Sequence, residues 1–88
     1  MRIMIPYTVE KIILEWKKEA KADKPVQFSF KNNEVFIYTS QPGYLIGKAG
    51  VLYNKYKAKM IEAFDNCDFV HIVEVYNAEE ISYTDLED

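Results

Sequence analysis

With 88 residues, a hydrophobic fraction of 49% and a formal net charge of -3, the chain can build one hydrophobic core and is too apolar to stay disordered. Its longest apolar stretch, residues 69–76, contains His71 and Glu74 and falls well short of the roughly 18–20 residues a membrane-spanning helix needs. The single Cys67 leaves no partner for an intramolecular disulfide, and Pro6 interrupts the N-terminal residues before a signal-like apolar run develops, so a reducing cytoplasm is the expected setting.

The acidity is unevenly distributed. Residues 1–40 carry a net +2, residues 41–64 a net +3, and residues 65–88 hold eight acids with no Lys or Arg. An acidic chain argues at first against a polyanionic partner, but here the acidity belongs to the last quarter.

Residues 1–7 alternate Ile3, Ile5 and Tyr7 with Arg2, Met4 and Pro6, which suits an extended lead-in or an edge strand. Thr8 then fits an N-cap, and Val9, Ile12, Ile13, Trp16 and Ala20 share one face of a helix expected over residues 9–22. Asp23-Lys24-Pro25 ends it. Val26, Phe28 and Phe30 alternate with polar residues in a strand, Asn32-Asn33 turns the chain, and a second strand follows over residues 35–39.

Ser40-Gln41-Pro42-Gly43 stops that strand, and Tyr44-Leu45-Ile46 leads into Gly47-Lys48-Ala49-Gly50. Leu52, Tyr56, Met60, Ala63 and Phe64 then repeat at helical spacing, predicting a helix over residues 51–64. Residues 69–76 are rich in Val, Ile and aromatic side chains with little alternation, as in a strand shielded on much of both faces. Trp16 and Phe64 are assigned to the core. Residues 1–77 read as one domain and residues 78–88 as an acidic tail able to fold back on the lysines.

Gly47 and Gly50 bracket two residues directly ahead of a helix. Without a Cβ at those positions a phosphodiester backbone can approach closely, and free amides of the first helical turn meet its charge. Lys48 adds a cation at the tip. Lys55 and Lys59 are one turn apart, so with Lys48 they read as a basic stripe beside the loop.

Pro42-Gly43-Tyr44-Leu45-Ile46-Gly47-Lys48-Ala49-Gly50 resembles the Ile-Gly-x-x-Gly signature of KH domains, notably the KH module of small-ribosomal-subunit proteins and Era-type GTPases. The resemblance covers residues 26–75 and follows the type II, prokaryotic order of that family. It implies an α+β (α/β) fold with a three-stranded mixed sheet packed against helices, in the order α-β-β-(short α)-α-β. It also implies single-stranded RNA, held by Gly47, Lys48, Ala49 and Gly50, with Ile46, Val51 and Leu52 shaping an apolar groove and Lys55 and Lys59 touching phosphate. Single-stranded DNA stays open, because phosphate is common to both nucleic acids.

Plainer readings stand beside these. The glycine loop is also what a tight helix–helix turn requires, and a KH fold also serves protein interaction, with ribosomal or RNA-processing proteins as the partners. Phe28, Phe30, Phe36, Tyr38 and Phe69 either pack a core or stack bases on an open sheet. Cys67 and His71 are too few for a closed zinc shell, and on a strand their spacing separates them by about 13 Å, too far for a nucleophile pair. No set of residues assembles an acid, a base and an oxyanion site, so neither catalysis, metal nor cofactor is expected.

Overall fold

The computed structural model describes residues 5–76. They form α1 (Pro6–Ala20), β1 (Val26–Lys31), β2 (Glu34–Thr39), α2 (Pro42–Ile46), one 3-10 turn (Lys48–Gly50), α3 (Val51–Ala63) and β3 (Phe69–Glu74). The fold is the expected α+β arrangement, with a three-stranded mixed sheet in the order β1-β2-β3.

The first helix begins earlier than Thr8 suggested. Ile5 is its N-cap and Pro6 its first residue, where the missing N–H is harmless. The Thr8 hydroxyl donates back to the Ile5 carbonyl at 3.0 Å instead of capping. Pro6 and Tyr7 are therefore helical rather than part of an extended lead-in, whose residues 1–4 lie outside the described ones. At the other end Lys21 adopts a left-handed conformation, and the amides of Lys21 and Ala22 return to the carbonyls of Lys18 and Lys17, closing the helix at Ala20.

Asn32 and Asn33 have φ values of 54° and 66°, the paired left-handed conformation of a tight hairpin turn, which asparagine tolerates. It sets the antiparallel register from Lys31↔Glu34 to Val26↔Thr39. The α2–α3 crossover then brings β3 parallel to β2, pairing Glu34↔Phe69 through Thr39↔Glu74.

This register sends Val26, Phe28, Val35, Ile37 and Val70 to the helical face, all fully buried, where they meet Val9, Ile13, Trp16, Leu45 and Met60. Phe28 is thus core, and half-buried Phe30 packs against it. Phe36, Tyr38, Phe69 and His71 lie on the opposite face. The expectation that the last strand reaches residue 76 and is shielded on both faces does not hold. It ends at Glu74 and lies at a sheet edge, with Val70 alone of its six residues buried. Its apolar residues divide between two faces, buried Val70 and half-buried Ile72 on the helical side, Phe69 and Val73 on the other.

The helices are joined through Trp16, whose indole N–H donates to the Leu45 carbonyl at 2.8 Å and whose ring stacks on Tyr56 with centroids 5.3 Å apart. The Tyr56 hydroxyl donates to Glu19 at 2.6 Å. Burial, reinforced by that bond, pushes the Tyr56 phenol up to about 12. An unfolded phenol titrates near 10, so this stabilisation is complete below pH 10 and is lost as pH rises through about 12. Tyr56→Phe should therefore cost about 1–2 kcal/mol at neutral pH and flatten the alkaline loss of stability, read as urea unfolding by circular dichroism from pH 7 upward.

Candidate nucleic-acid interface

The loop between α2 and α3 is built from backbone conformations that few residues adopt. Gly47 sits at φ 77°, ψ 172°, Ala49 at φ 56°, ψ 23° and Gly50 at φ 75°, ψ 15°. The Gly47 amide closes α2 on the Gly43 carbonyl at 3.0 Å, and the Gly50 amide returns to the Gly47 carbonyl at 3.1 Å. Gly47 is required twice over, since a Cβ there would lie 3.1 Å from both Cβ and Cγ of Leu52 as well as at positive φ. At Gly50 the demand is the backbone conformation alone, a Cβ finding only Asn54 at 3.8 Å. No side chain caps the 3-10 turn or α3; the Val51 amide that opens α3 returns to the Lys48 carbonyl. Lys48 lies in the loop, exposed, and its side chain has no hydrogen bond or ion pair among the described residues.

Beside the loop lies a cleft of about 320 Å³ lined by Ile46, Tyr53, Phe69, Val70, His71 and Ile72. Tyr53 ties its helical wall to its strand wall by donating its hydroxyl to the Val70 carbonyl at 2.7 Å. Burial raises the Tyr53 phenol above its ordinary value, which keeps the donated proton in place.

Lys57 is the cation of this cleft. Its ammonium lies 4.2 Å from the Phe69 ring centroid and 5.7 Å from that of Tyr53, within the range of favourable cation–π contact. Lys55 and Lys59 point elsewhere. Lys55 binds both Glu19 oxygens at 2.8 and 3.0 Å, and Lys59 binds Glu15 at 2.8 Å. These bonds hold both carboxyls below their ordinary values. At 100° per residue, Lys57 stands some 200° around α3 from Lys55, so Lys55 and Lys59 share one flank of the helix, against α1, and Lys57 lies on another.

Of the residues expected at the site, Ile46 lines the cleft and Gly47, Lys48, Ala49 and Gly50 form the loop at its end. Leu52 packs against Gly47 and Val51 is 62% exposed, and neither lines the cleft. Sequence reasoning missed Tyr53, Lys57 and His71. The first two were detectable as an i, i+4 aromatic–cation pair on the face away from Lys55. His71 stacks on Phe36 and Phe69, and its Nε2 lies 2.5 Å from Glu34 Oε1. Cys67 is buried, which raises its thiol pKa, and no group of three metal-ligating side chains occurs among the described residues.

The family model described as the KH domain matches residues 4–80. The chain belongs to the KH domain family. Such domains are nucleic-acid-binding modules rather than enzymes, so a nucleic-acid partner follows for this KH domain in general terms. No curated protein and no solved structure matches it significantly. Among the described residues no helix is long and apolar enough to cross a membrane.

The glycines should differ sharply on substitution. Gly47→Ala is expected to cost about 1–3 kcal/mol through positive φ and the clash with Leu52, while Gly43→Ala, which meets nothing within 4 Å, should be neutral or slightly stabilising. Ala49→Gly should be neutral to stabilising, against the usual cost of glycine, because Ala49 already occupies a left-handed conformation. Urea titrations of the three variants measure this.

Proposed function

We propose that this KH domain, in type II order and with residues 1–77 as its folded module, binds single-stranded RNA across the glycine loop and the adjoining cleft. The observation that carries this is their continuity: the glycine loop follows directly on Ile46, which lines the apolar cleft, and two lysines without an ion pair among the described residues accompany them, Lys48 in the loop and Lys57 over the Phe69 ring. Gly47, Lys48, Ala49 and Gly50 clamp the phosphodiester backbone, with the Lys48 ammonium as its cation; Ile46 supplies the apolar wall next to the loop, and Val51 and Leu52 extend the apolar surface at the start of α3 outside the cleft lining.

Charge sets the direction of the strand. Lys48 in the loop and Lys57 of α3 come from the helical side, while Asp68 and Glu74 flank β3 and Glu34 lies on neighbouring β2. Phosphates therefore follow the helices and bases turn toward β3. Lys55 and Lys59 add secondary phosphate contacts, because exposed ion pairs such as theirs with Glu19 and Glu15 exchange partners readily. The acidic residues 78–88, outside the described ones, compete for the same lysines. A cytoplasmic setting accompanies this reading, and ribosomal or RNA-processing proteins are the partners of the alternative that follows.

A second reading, a protein-docking module with little RNA affinity of its own, is favoured by one observation: two of the four lysines of residues 41–64 are already ion-paired on a chain of net charge -3.

Fluorescence anisotropy with labelled random single-stranded RNA at low salt separates the two. Wild type should bind, with affinity falling along a shallow log–log salt slope, and the doubly substituted Lys48→Asp, Ala49→Asp protein, verified as folded by circular dichroism, should lose binding. Undiminished binding by the variant, or affinity independent of salt, would retire the clamp. No binding by wild type at micromolar concentrations would leave the docking module. The same titration with single-stranded DNA decides between the nucleic acids.

A further inference from the structure

Three rings and a cation form one continuous stack across the β3 edge. Phe36 on β2 and His71 on β3 are register partners, with centroids 4.6 Å apart and planes 11° from parallel. Phe69, two residues before His71 and on the same sheet face, continues the stack at 4.7 Å and 29°. Lys57 then crosses from α3 over the edge strand to place its ammonium 4.2 Å from the Phe69 centroid.

Four features make the Phe69 end of this stack unlike ordinary core packing. Phe69 is 40% exposed. One face of its ring is taken by His71, and the other is covered by a flexible side chain that holds no ion pair among the described residues. Phe69 and His71 also line the cleft beside the glycine loop, so the stack and the cleft form one surface. Finally, Glu34, the acid on this sheet face nearest the stack, is engaged by His71.

We infer that Phe69, backed by His71 and Phe36, is a stacking platform for an unpaired nucleobase, and that Lys57 is the gate over it. The inference rests on the RNA reading above and extends it. The apolar cleft alone holds bases by shape, whereas this platform takes one by its π face. The incoming base displaces the Lys57 ammonium from the ring, and the freed cation moves to a phosphate of the same strand. Each partner is complementary to what the surface offers: a π face for the ring, an anion for the lysine. Because every base has a π face, the platform adds affinity with little sequence preference.

The test uses the whole chain with two probes of equal length, labelled random single-stranded RNA and an abasic oligomer that keeps the phosphates and lacks the bases. Phe69→Leu retains apolar bulk and removes the ring; it should weaken RNA binding about tenfold and leave the abasic oligomer unaffected. Phe69→Tyr keeps the ring and should bind RNA like wild type. Lys57→Gln should weaken both probes. The platform is overturned if wild type binds RNA and Phe69→Leu, shown folded by circular dichroism, binds it equally well, or if that variant loses the abasic oligomer to the same extent; the RNA-binding reading survives either result. Failure of wild type to bind RNA at all removes both.

Discussion

The loop that makes this fold a nucleic-acid candidate sits between two helices, one of which cannot hold itself in place. At five residues, α2 is far below the length at which a helix is stable alone, and its orientation is imposed by Trp16. The indole N–H takes the Leu45 carbonyl at 2.8 Å, and the ring face packs on Tyr56 of α3. One side chain of α1 thereby fixes the angle between the helices on either side of Gly47 and Gly50. Gln41 anchors the entry to α2 in the same spirit, accepting from the Lys24 amide and donating to Asp23. A loop with three residues at positive φ would otherwise have no reason to keep one conformation. The strain at Ala49 persists because both of its ends are held.

The cleft depends on a second fastening. Tyr53 bonds the Val70 carbonyl, on the strand that lies at the sheet edge. An edge strand offers unpaired backbone groups to whatever approaches, and here one of them is already used to hold α3 against β3. The remaining edge stays open beside Phe69, His71 and Ile72. What makes β3 a poor core strand, its half-covered rings, is what makes it one wall of the cleft.

Much of the architecture was legible because it follows from local rules. The spacing of Val9, Ile13 and Trp16, the alternation through Phe28 and Ile37, the Asn32-Asn33 turn and the glycine pair each specify a backbone that the sequence alone announces. The start of α1 was not, since Pro6 serves equally as an extended residue and as the first residue of a helix, and only tertiary packing decides. The lysines were harder still. Lys55, Lys57 and Lys59 lie on one short stretch, and charge spacing along α3 says which share a face, but not which face meets α1. Glu15 and Glu19, about 40 residues earlier, settle that by capturing Lys55 and Lys59. Lys57 was passed over because its partners are rings rather than acids, and the run from Phe69 to Val73 gave no hint that half of it would lie open.

Electrostatics then constrains how such a surface can work. Residues 5–76 hold ten lysines against nine acids, so this is a nearly neutral domain whose field draws phosphate only weakly from a distance. Long-range steering cannot supply the affinity; short-range contact has to. On the proposed reading, the two cations at the cleft serve mainly to orient a bound strand, while apolar walls and stacked rings supply most of the contact. Phosphate-rich double helices bury their bases and offer nothing to such walls. Unpaired strands expose both charge and flat base faces, so on the reading proposed above they are the partner that such a surface suits, despite the acidity of the chain.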